Sequence, residues 1–155
     1  MSKTLSACLL SLATAASLNA SAAEPLARFE DAIGVQPLRA GGQPNAVLGV
    51  PPAGLPWVIS RLTAAVSADG RINVDGRGLL LAGGDNIGTP AGQSVRARVA
   101  CAGVFHDSEL VPLDALGDFR IEGFVNPIPP NPCANPVLLI VNGNGAWFAA
   151  GIRKR

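Results

Sequence analysis

Hydrophobic and polar residues alternate in short runs from Trp57 onward, and turn residues separate these runs at spacings of roughly ten residues. No stretch keeps a helical period for three turns. In the clearest run, SVRARVAC at 94–101, every second residue is apolar from Val95 to Cys101, and two arginines lie between them. Such alternation is typical of half-buried β-strands, whose side chains point to opposite faces in turn.

Six further segments have the composition and length of strands. Asp69-Gly70 separates the first two of them and is the strongest hairpin signal in the chain. The run at 136–141 is apolar throughout, which is typical of a central strand. Seven or eight such strands joined by tight turns predict an all-β fold, an antiparallel two-sheet sandwich of the immunoglobulin-like or prealbumin-like kind. The six segments are WVISRLTAAVSA (57–68), RINVD (71–75), GRGLLLAGG (76–84), DFRIEGFV (118–125), PVLLIV (136–141) and AWFAAGI (146–152).

A segment rich in proline and glycine precedes this body. Residues 34–56 contain five prolines and five glycines and have no sustained period. They predict an irregular arm or surface loop that follows a short opening segment near residues 29–33. We therefore expect an N-terminal arm over 24–56 and a β-sandwich domain over 57–155.

The first 23 residues have the order of a secretory signal peptide. A start carrying Lys3 leads into an apolar, small-residue stretch that ends in Ala20-Ser21-Ala22-Ala23. This pattern predicts cleavage near Ala23 and a secreted or periplasmic protein. An alternative interpretation takes Leu5-Ser6-Ala7-Cys8 as a lipid-attachment box that tethers the chain through Cys8.

The charge balance argues against several classes of partner. The chain carries 12 Lys and Arg against 11 Asp and Glu, and removal of the leader with Lys3 leaves 11 of each. Nucleic acids and anionic membrane surfaces attract proteins with a basic excess. No segment has the roughly 20 strongly apolar residues of a membrane span. We expect a monomer or weakly associating protein without a cofactor, whose partner is another protein or an envelope polymer.

Two cysteines, Cys101 and Cys133, lie beyond the leader. An even number of cysteines in an exported chain predicts a disulfide bond. Cys133 lies in NPIPPNPCANP (126–136), where five prolines restrict the backbone and favour extended conformations. This stiff connector is expected to present Cys133 to Cys101 at low entropic cost. The alternative function for the connector is a polyproline recognition segment.

One part of the chain resembles a known class of domain. The stretch LDALGDFRIEG (113–123), followed by PVLLI, resembles the D-x-x-G-x-F-x-I-x-G and P-x-L-x-I pattern of transthyretin-like and carboxypeptidase-regulatory-like β-sandwich domains. The resemblance spans residues 95–141, and members of these families mostly act as secreted binding or accessory modules. Asp114 would cap the turn, Gly117 would take a positive φ, and Phe119 and Ile121 would enter the core. VSADGRI, GRGLLLAGGDNIG and GAWFAAGI also resemble stretches of small uncharacterised exported bacterial proteins.

Motifs for catalysis and metal binding are sparse. His106 is the one histidine of the chain, in FHDSE, and a hydrolase centred on it is the alternative function. The chain has no G-x-S-x-G elbow, and adjacent side chains on a strand point apart, which argues against a metal site built on His106, Asp107 and Glu109. Oxygen-bearing side chains invite a calcium hypothesis, although turn chemistry also explains them. They are Asp69, Asn73, Asp75, Asp85 and Asn86.

Trp57, Trp147 and Phe148 are the candidate binding residues, provided that they are exposed; the alternative, which the presence of only seven aromatic residues in the chain favours, is that they pack in the core. Aromatic side chains carry a large share of interface and ligand-binding energy. Trp147 and Phe148 are neighbours, and so are Trp57 and Val58, so alternation predicts that only one member of each pair is buried deeply. We therefore expect a non-enzymatic binding or structural protein of the bacterial envelope or extracellular space, with these aromatics and a sheet face or edge as its contact surface.

Overall fold

The computed structural model of the chain describes residues 25–154, so the predicted signal peptide and Cys8 lie outside the described residues. Within this range there are thirteen β-strands and no helix. The strands are β1 (Ala27–Gly34), β2 (Arg39–Ala40), β3 (Gln43–Pro44), β4 (Trp57–Val58), β5 (Arg61–Val66), β6 (Arg71–Arg77), β7 (Leu80–Leu81), β8 (Ser94–Cys101), β9 (Val104–Asp107), β10 (Val111–Pro112), β11 (Phe119–Phe124), β12 (Val137–Asn142) and β13 (Trp147–Lys154).

Nine strands form one large antiparallel sheet. Its order is β10-β8-β12-β13-β1-β5-β6-β11, and β9 also pairs with β8. The sheet curls until its borders meet. There the N–H group of Asp107 donates to the carbonyl of Asn126 at 3.0 Å, and the N–H group of Asn126 donates to the carbonyl of Asp107 at 2.9 Å. The predicted all-β, antiparallel fold is confirmed. Hydrogen bonding runs through one curled sheet, and a division into two facing sheets stays a prediction.

The strands with the clearest alternation form where the sequence predicts them. In β8 the side chains of Val95, Ala97 and Val99 are fully buried, and those of the two intervening arginines face outward. The hairpin between β5 and β6 turns at Gly70, whose φ is 84°, and the side chain of Asp69 accepts a hydrogen bond from the N–H of the residue after the glycine. Strand β12 lies between β8 and β13 and is buried on both faces, as its apolar sequence predicts.

The N-terminal segment differs from the predicted arm. Strand β1 lies in the middle of the large sheet, between β13 and β5. Its alternation is short because the pairing with β13 shifts between Phe29 and Ala32, and Asp31 adopts a φ of 65°. The irregular part also packs on the body, where Val35 and Val50 are buried. Residues 25–56 are therefore part of the folded unit.

The predicted disulfide bond between Cys101 and Cys133 is confirmed. It joins the end of β8 to the proline-rich connector, with the two Cα atoms 5.0 Å apart and both side chains buried. The partners are 32 residues apart in sequence, a separation for which the chain-entropy account gives about 4 kcal/mol of stabilisation. The bridge thus fixes the connector to the edge of the core before the chain enters β12.

Candidate functional site

Two of the three candidate aromatic residues lie together. The rings of Trp57 and Phe148 stack with centroids 4.1 Å apart and an angle of 16° between their planes. Their exposed fractions are 4% and 3%, so neither projects from the surface as an interface anchor would. The condition attached to the sequence prediction, an exposed aromatic patch, is therefore not met by these side chains. The stacked pair instead forms part of the wall of a pocket.

We call this hollow the end pocket. It has a volume of about 310 Å³ and is open to solvent. Its apolar surface comes from the stacked aromatic pair, two leucines and small residues, and its polar surface comes from three side-chain amides. Pockets with an apolar body and a few polar groups are the usual form of small-molecule sites. The lining residues are Ala53, Gly54, Leu55, Trp57, Leu81, Asn86, Ala91, Gln93, Asn142, Ala146 and Phe148.

Backbone hydrogen bonds hold the walls of the end pocket in place. Strand β4 pairs with β7, so that Trp57 lies opposite Leu81. The N–H group of Trp57 donates to the carbonyl of Val35 at 2.9 Å, which ties β4 to the end of β1. Backbone bonds fix both ends of the loop at 82–93. The N–H group of Ala82 donates to the carbonyl of Pro56 at 2.8 Å, and the carbonyl of Gln93 accepts a bond from the N–H group of Leu113 at 3.0 Å. The pocket is therefore built on paired strands and a loop that is itself hydrogen-bonded.

Among the residues that the structure describes, those lining the end pocket include no ionisable side chain. Besides the indole N–H of Trp57, the amide groups of Asn86, Gln93 and Asn142 supply side-chain hydrogen-bonding capacity, and each amide carries both donors and an acceptor. The Oδ1 atom of Asn142 accepts bonds from the N–H groups of Asn144 (3.1 Å) and Ala146 (2.9 Å). Those bonds orient the Asn142 amide and leave its NH₂ group as a donor. The pocket thus offers neutral hydrogen bonding beside an apolar surface.

Trp147, the third candidate, is also buried, with 6% of its surface exposed. The expectation that Trp147 and Phe148 cannot both be buried is wrong. The pairing of β12 with β13 shifts between Ile140 and Val141, which interrupts the strict alternation at this point. The N-terminal segment also pairs with Trp147, whose N–H donates to the carbonyl of Pro51 at 2.9 Å.

Of the neighbours Trp57 and Val58, only one is deeply buried, as the alternation predicts. Val58 is 46% exposed and Trp57 is buried. The predicted strand segment at 57–68 is interrupted between β4 and β5, where the N–H of Ser60 donates to the carbonyl of Arg77 at 2.9 Å. This interruption resets the alternation, so that Leu62 is buried in β5 while Val58 faces solvent in β4.

His106 is buried, with 2% of its surface exposed. Its Nδ1 atom lies 2.6 Å from the carbonyl oxygen of Pro127. Because a carbonyl oxygen only accepts, Nδ1 carries the hydrogen and donates the hydrogen bond. The Nε2 atom is buried without a hydrogen-bond partner among the described residues. The imidazole is therefore oriented by a backbone carbonyl, and no hydroxyl or thiol of the described residues lies within hydrogen-bonding distance of its Nε2 atom, as a nucleophile activated by this histidine would.

The neighbours of His106 are engaged elsewhere. The carboxylate of Asp107 accepts two hydrogen bonds from Arg98, at 2.8 and 2.6 Å, and this pairing raises the pKa of the Arg98 guanidinium. The hydroxyl of Ser108 is buried, accepts a bond from the N–H of Ala97 and donates to the carbonyl of Glu109, each at 3.0 Å. These contacts assign Asp107 and Ser108 structural roles in joining β9 to β8.

The oxygen-bearing side chains of the calcium hypothesis are not assembled into one site. Asp69 caps the hairpin after β5, and Asp75 binds two arginines on the outer face of β6. Asn86 belongs to the loop that lines the end pocket. Across residues 25–154, no three or more His, Cys, Asp or Glu side chains are grouped so as to hold a metal ion.

A second hollow, of about 410 Å³, lies on the outer face of β1, β5, β6 and β11. Its Asp75 and Arg120 belong to an ion-pair network that extends beyond the hollow: Arg77 and Arg120 bind the carboxylate of Asp75 at 2.7 to 2.9 Å, and Arg77 also binds Asp118 at 3.0 Å. The bonds from Arg77 and then Arg120 lower the pKa of Asp75. For Asp118 the backbone N–H of Gly78 lowers the pKa most, followed by Arg77. These four charged side chains are therefore paired within the protein.

Sequence reasoning missed most of the end pocket. It singled out Trp57 and Phe148 as binding residues on the condition that they are exposed, with core packing as the alternative, and it treated the loop at 82–93 and the turn after β12 only as connections. Leu81, Gln93 and Asn142 carry no motif, and they lie far apart in sequence. Tertiary structure alone brings them together, since β4 pairs with β7 and the turn after Asn142 lies beside them.

Within residues 25–154, no helix has the length and apolar character needed to cross a lipid bilayer. No protein-family model matches the chain, and neither a curated protein nor a solved structure is significantly similar to it.

Proposed function

We propose that this protein is an exported, non-enzymatic binding protein of the bacterial envelope or extracellular space, and that the end pocket is its binding site. The observation that carries the proposal is the position of the stacked Trp57–Phe148 pair in the wall of an open pocket with a neutral polar rim. Small-molecule sites typically combine an apolar body with a few hydrogen-bonding groups in this way.

Export is supported by the order of residues in the leader and by the disulfide bond. Disulfides form and persist in oxidising compartments such as the periplasm and the extracellular medium. N-terminal sequencing of the exported protein tests this part of the proposal. We expect a first residue at Ala23 or Glu24, and a protein that retains Lys3 in the cytosol would contradict export.

A non-enzymatic role is supported by the surroundings of His106. Its imidazole binds a carbonyl, the carboxylate of Asp107 binds Arg98, and the hydroxyl of Ser108 binds backbone groups. Asp107 and Ser108 are thus engaged with other groups, and no nucleophile of the described residues lies within hydrogen-bonding distance of the Nε2 atom of His106. The protein in this proposal acts as a monomer and without a cofactor.

The proposed fold family is a two-sheet sandwich of seven or eight main strands, related to transthyretin-like domains. The turn before β11 supports it, because the side chain of Asp114 accepts bonds from the N–H groups of Leu116 and Asp118, each at 2.8 Å. Gly117 has a φ of 75°, and Phe119 is buried. These are the features that the resemblance implies for this segment.

A pocket-filling substitution tests the binding site. Ala146→Phe places a ring in the end pocket, and Ala115→Phe makes the same change at an exposed turn away from it. In a thermal-shift screen of small neutral compounds, a ligand at ten times its Kd adds about 1.4 kcal/mol and raises Tm by about 3–6 °C. We expect such shifts in the wild type and in Ala115→Phe but not in Ala146→Phe. Equal shifts in both variants, or none in the wild type, would contradict the proposed site.

A further inference from the structure

The chemistry of the end pocket indicates which class of ligand it takes. We infer that the pocket binds a neutral sugar ring, either a free monosaccharide or the end of a saccharide chain. This inference rests on the proposed function, because it assumes that the end pocket is the binding site. It adds the charge, the size and the chemical surface of the ligand.

The absence of ionisable side chains from the lining of the end pocket selects against charged ligands. A charged group that enters a pocket loses hydration, and without an opposite charge or several strong hydrogen bonds this loss is not compensated. The charged side chains of the outer sheet face pair with one another instead, as Arg77 does with Asp75 and Asp118. A neutral ligand therefore fits the pocket better than its charged analogue.

The polar rim matches hydroxyl groups. Each hydroxyl of a sugar donates one hydrogen bond and accepts others, and the amides of Asn86, Gln93 and Asn142 also offer both functions. The fixed orientation of Asn142 directs its NH₂ group as a donor, since its Oδ1 atom is held by two backbone N–H groups. Such amides suit a ligand whose polar groups are uncharged and lie around its edge.

The apolar surface and the volume of the end pocket can admit one ring. A pyranose presents C–H groups on its face, and the apolar lining of the pocket includes Leu55, Leu81, Trp57 and Phe148. The volume of about 310 Å³ is sufficient for one sugar ring together with some solvent. Because the two aromatic rings are only 4% and 3% exposed, the contact with them is small and we expect a millimolar Kd.

The two tryptophans allow a direct test, since only Trp57 lines the pocket. In the Trp147→Phe variant, the fluorescence of Trp57 reports on the pocket alone. Titrations with glucose, galactose and N-acetylglucosamine are compared with glucosamine, which is cationic, and glucuronate, which is anionic. We expect saturable changes with at least one neutral sugar and at least about 10-fold weaker binding of the charged analogues.

Variants and a second method complete the test. Gln93→Ala is expected to weaken the binding of the neutral sugar by about 5-fold or more through loss of a hydrogen bond, and Ala115→Phe is expected to leave it unchanged. Calorimetry on the wild type gives the same Kd without reliance on the Trp147→Phe variant. A linear trisaccharide distinguishes the source: tighter binding than the monosaccharide indicates a chain end, and equal binding indicates a free sugar.

Two results would overturn the inference. One is binding of glucosamine or glucuronate as tight as that of the neutral sugars, and the other is no change of Trp57 fluorescence or heat with any neutral sugar at about 100 mM. Neither result contradicts the proposed function, which has its own test. The proposed function fails if the thermal-shift screen finds no compound whose stabilising effect is abolished by Ala146→Phe.

Discussion

Removal of the Cys101–Cys133 bridge should bring the fold close to the limit of its stability. The partners are 32 residues apart, so opening the bridge restores chain entropy to the unfolded state worth about 4 kcal/mol. Replacing both cysteines by alanine also truncates two buried side chains, at about 1 kcal/mol each. A domain of this size has a total stability of about 5–15 kcal/mol. We therefore expect a loss of about 6 kcal/mol for the double alanine variant.

Equilibrium unfolding in urea measures this loss and separates its two causes. The reduced wild type lacks the bridge but keeps both sulfur atoms, so it is the matched control for the double variant. We expect the reduced wild type to lose about 4 kcal/mol and the double variant about 2 kcal/mol more. If oxidised and reduced wild type differ by less than about 1 kcal/mol, the bridge does not constrain the unfolded chain as argued.

Three further predictions concern single residues. Gly117→Ala should lower the free energy of unfolding in urea by more than about 2 kcal/mol, because Gly117 has a φ of 75° and an added methyl group would meet the backbone of Leu79. The control Gly123→Ala adds its methyl group in open space and should change stability by less than about 1 kcal/mol. Similar effects of the two substitutions would refute the strain assigned to Gly117. The pKa of Asp118 is lowered in the fold, so its stabilising contribution is present above the unfolded value of 3.8 and is lost as the pH falls through the lower folded pKa. Stability of the wild type should therefore fall more steeply than that of Asp118→Asn below about pH 4 in unfolding measurements at a series of pH values, and parallel curves would argue against this linkage. His106→Ala should lose about 2–4 kcal/mol, since it removes a buried ring and leaves a carbonyl without its donor, and a loss below about 0.5 kcal/mol would contradict the buried position.

Strands with strict alternation and clear turn residues could be predicted from the sequence. In β8 and β6 the apolar positions recur at every second residue, and one face is buried in each, as expected. The hairpin at Asp69-Gly70 followed from local turn chemistry. The disulfide followed from the number of cysteines in a chain with a signal-like leader. In each case the information lies within a few residues or in a count.

Features that depend on distant contacts could not be predicted. Strand β1 lies at the centre of the sheet, yet the irregular pairing after Phe29 shortens its pattern to four residues. Trp147 and Phe148 are both buried because the register of β12 and β13 shifts beside them. The end pocket combines residues from β4, β7, a glycine-rich loop and the turn after β12. Only the tertiary pairing of these elements defines it.

The central claim is that the end pocket binds a neutral ring-sized ligand, and amide NMR tests it most directly. A ¹⁵N-labelled sample of the exported protein is titrated in turn with glucose, galactose and N-acetylglucosamine, and the backbone shifts caused by any sugar that binds are mapped onto the sequence. The account predicts saturable changes concentrated at 53–57, 81–93 and 142–148, together with the indole N–H of Trp57. Shifts located on the outer face of β5 and β6, or no saturable shift in those three segments, would contradict it.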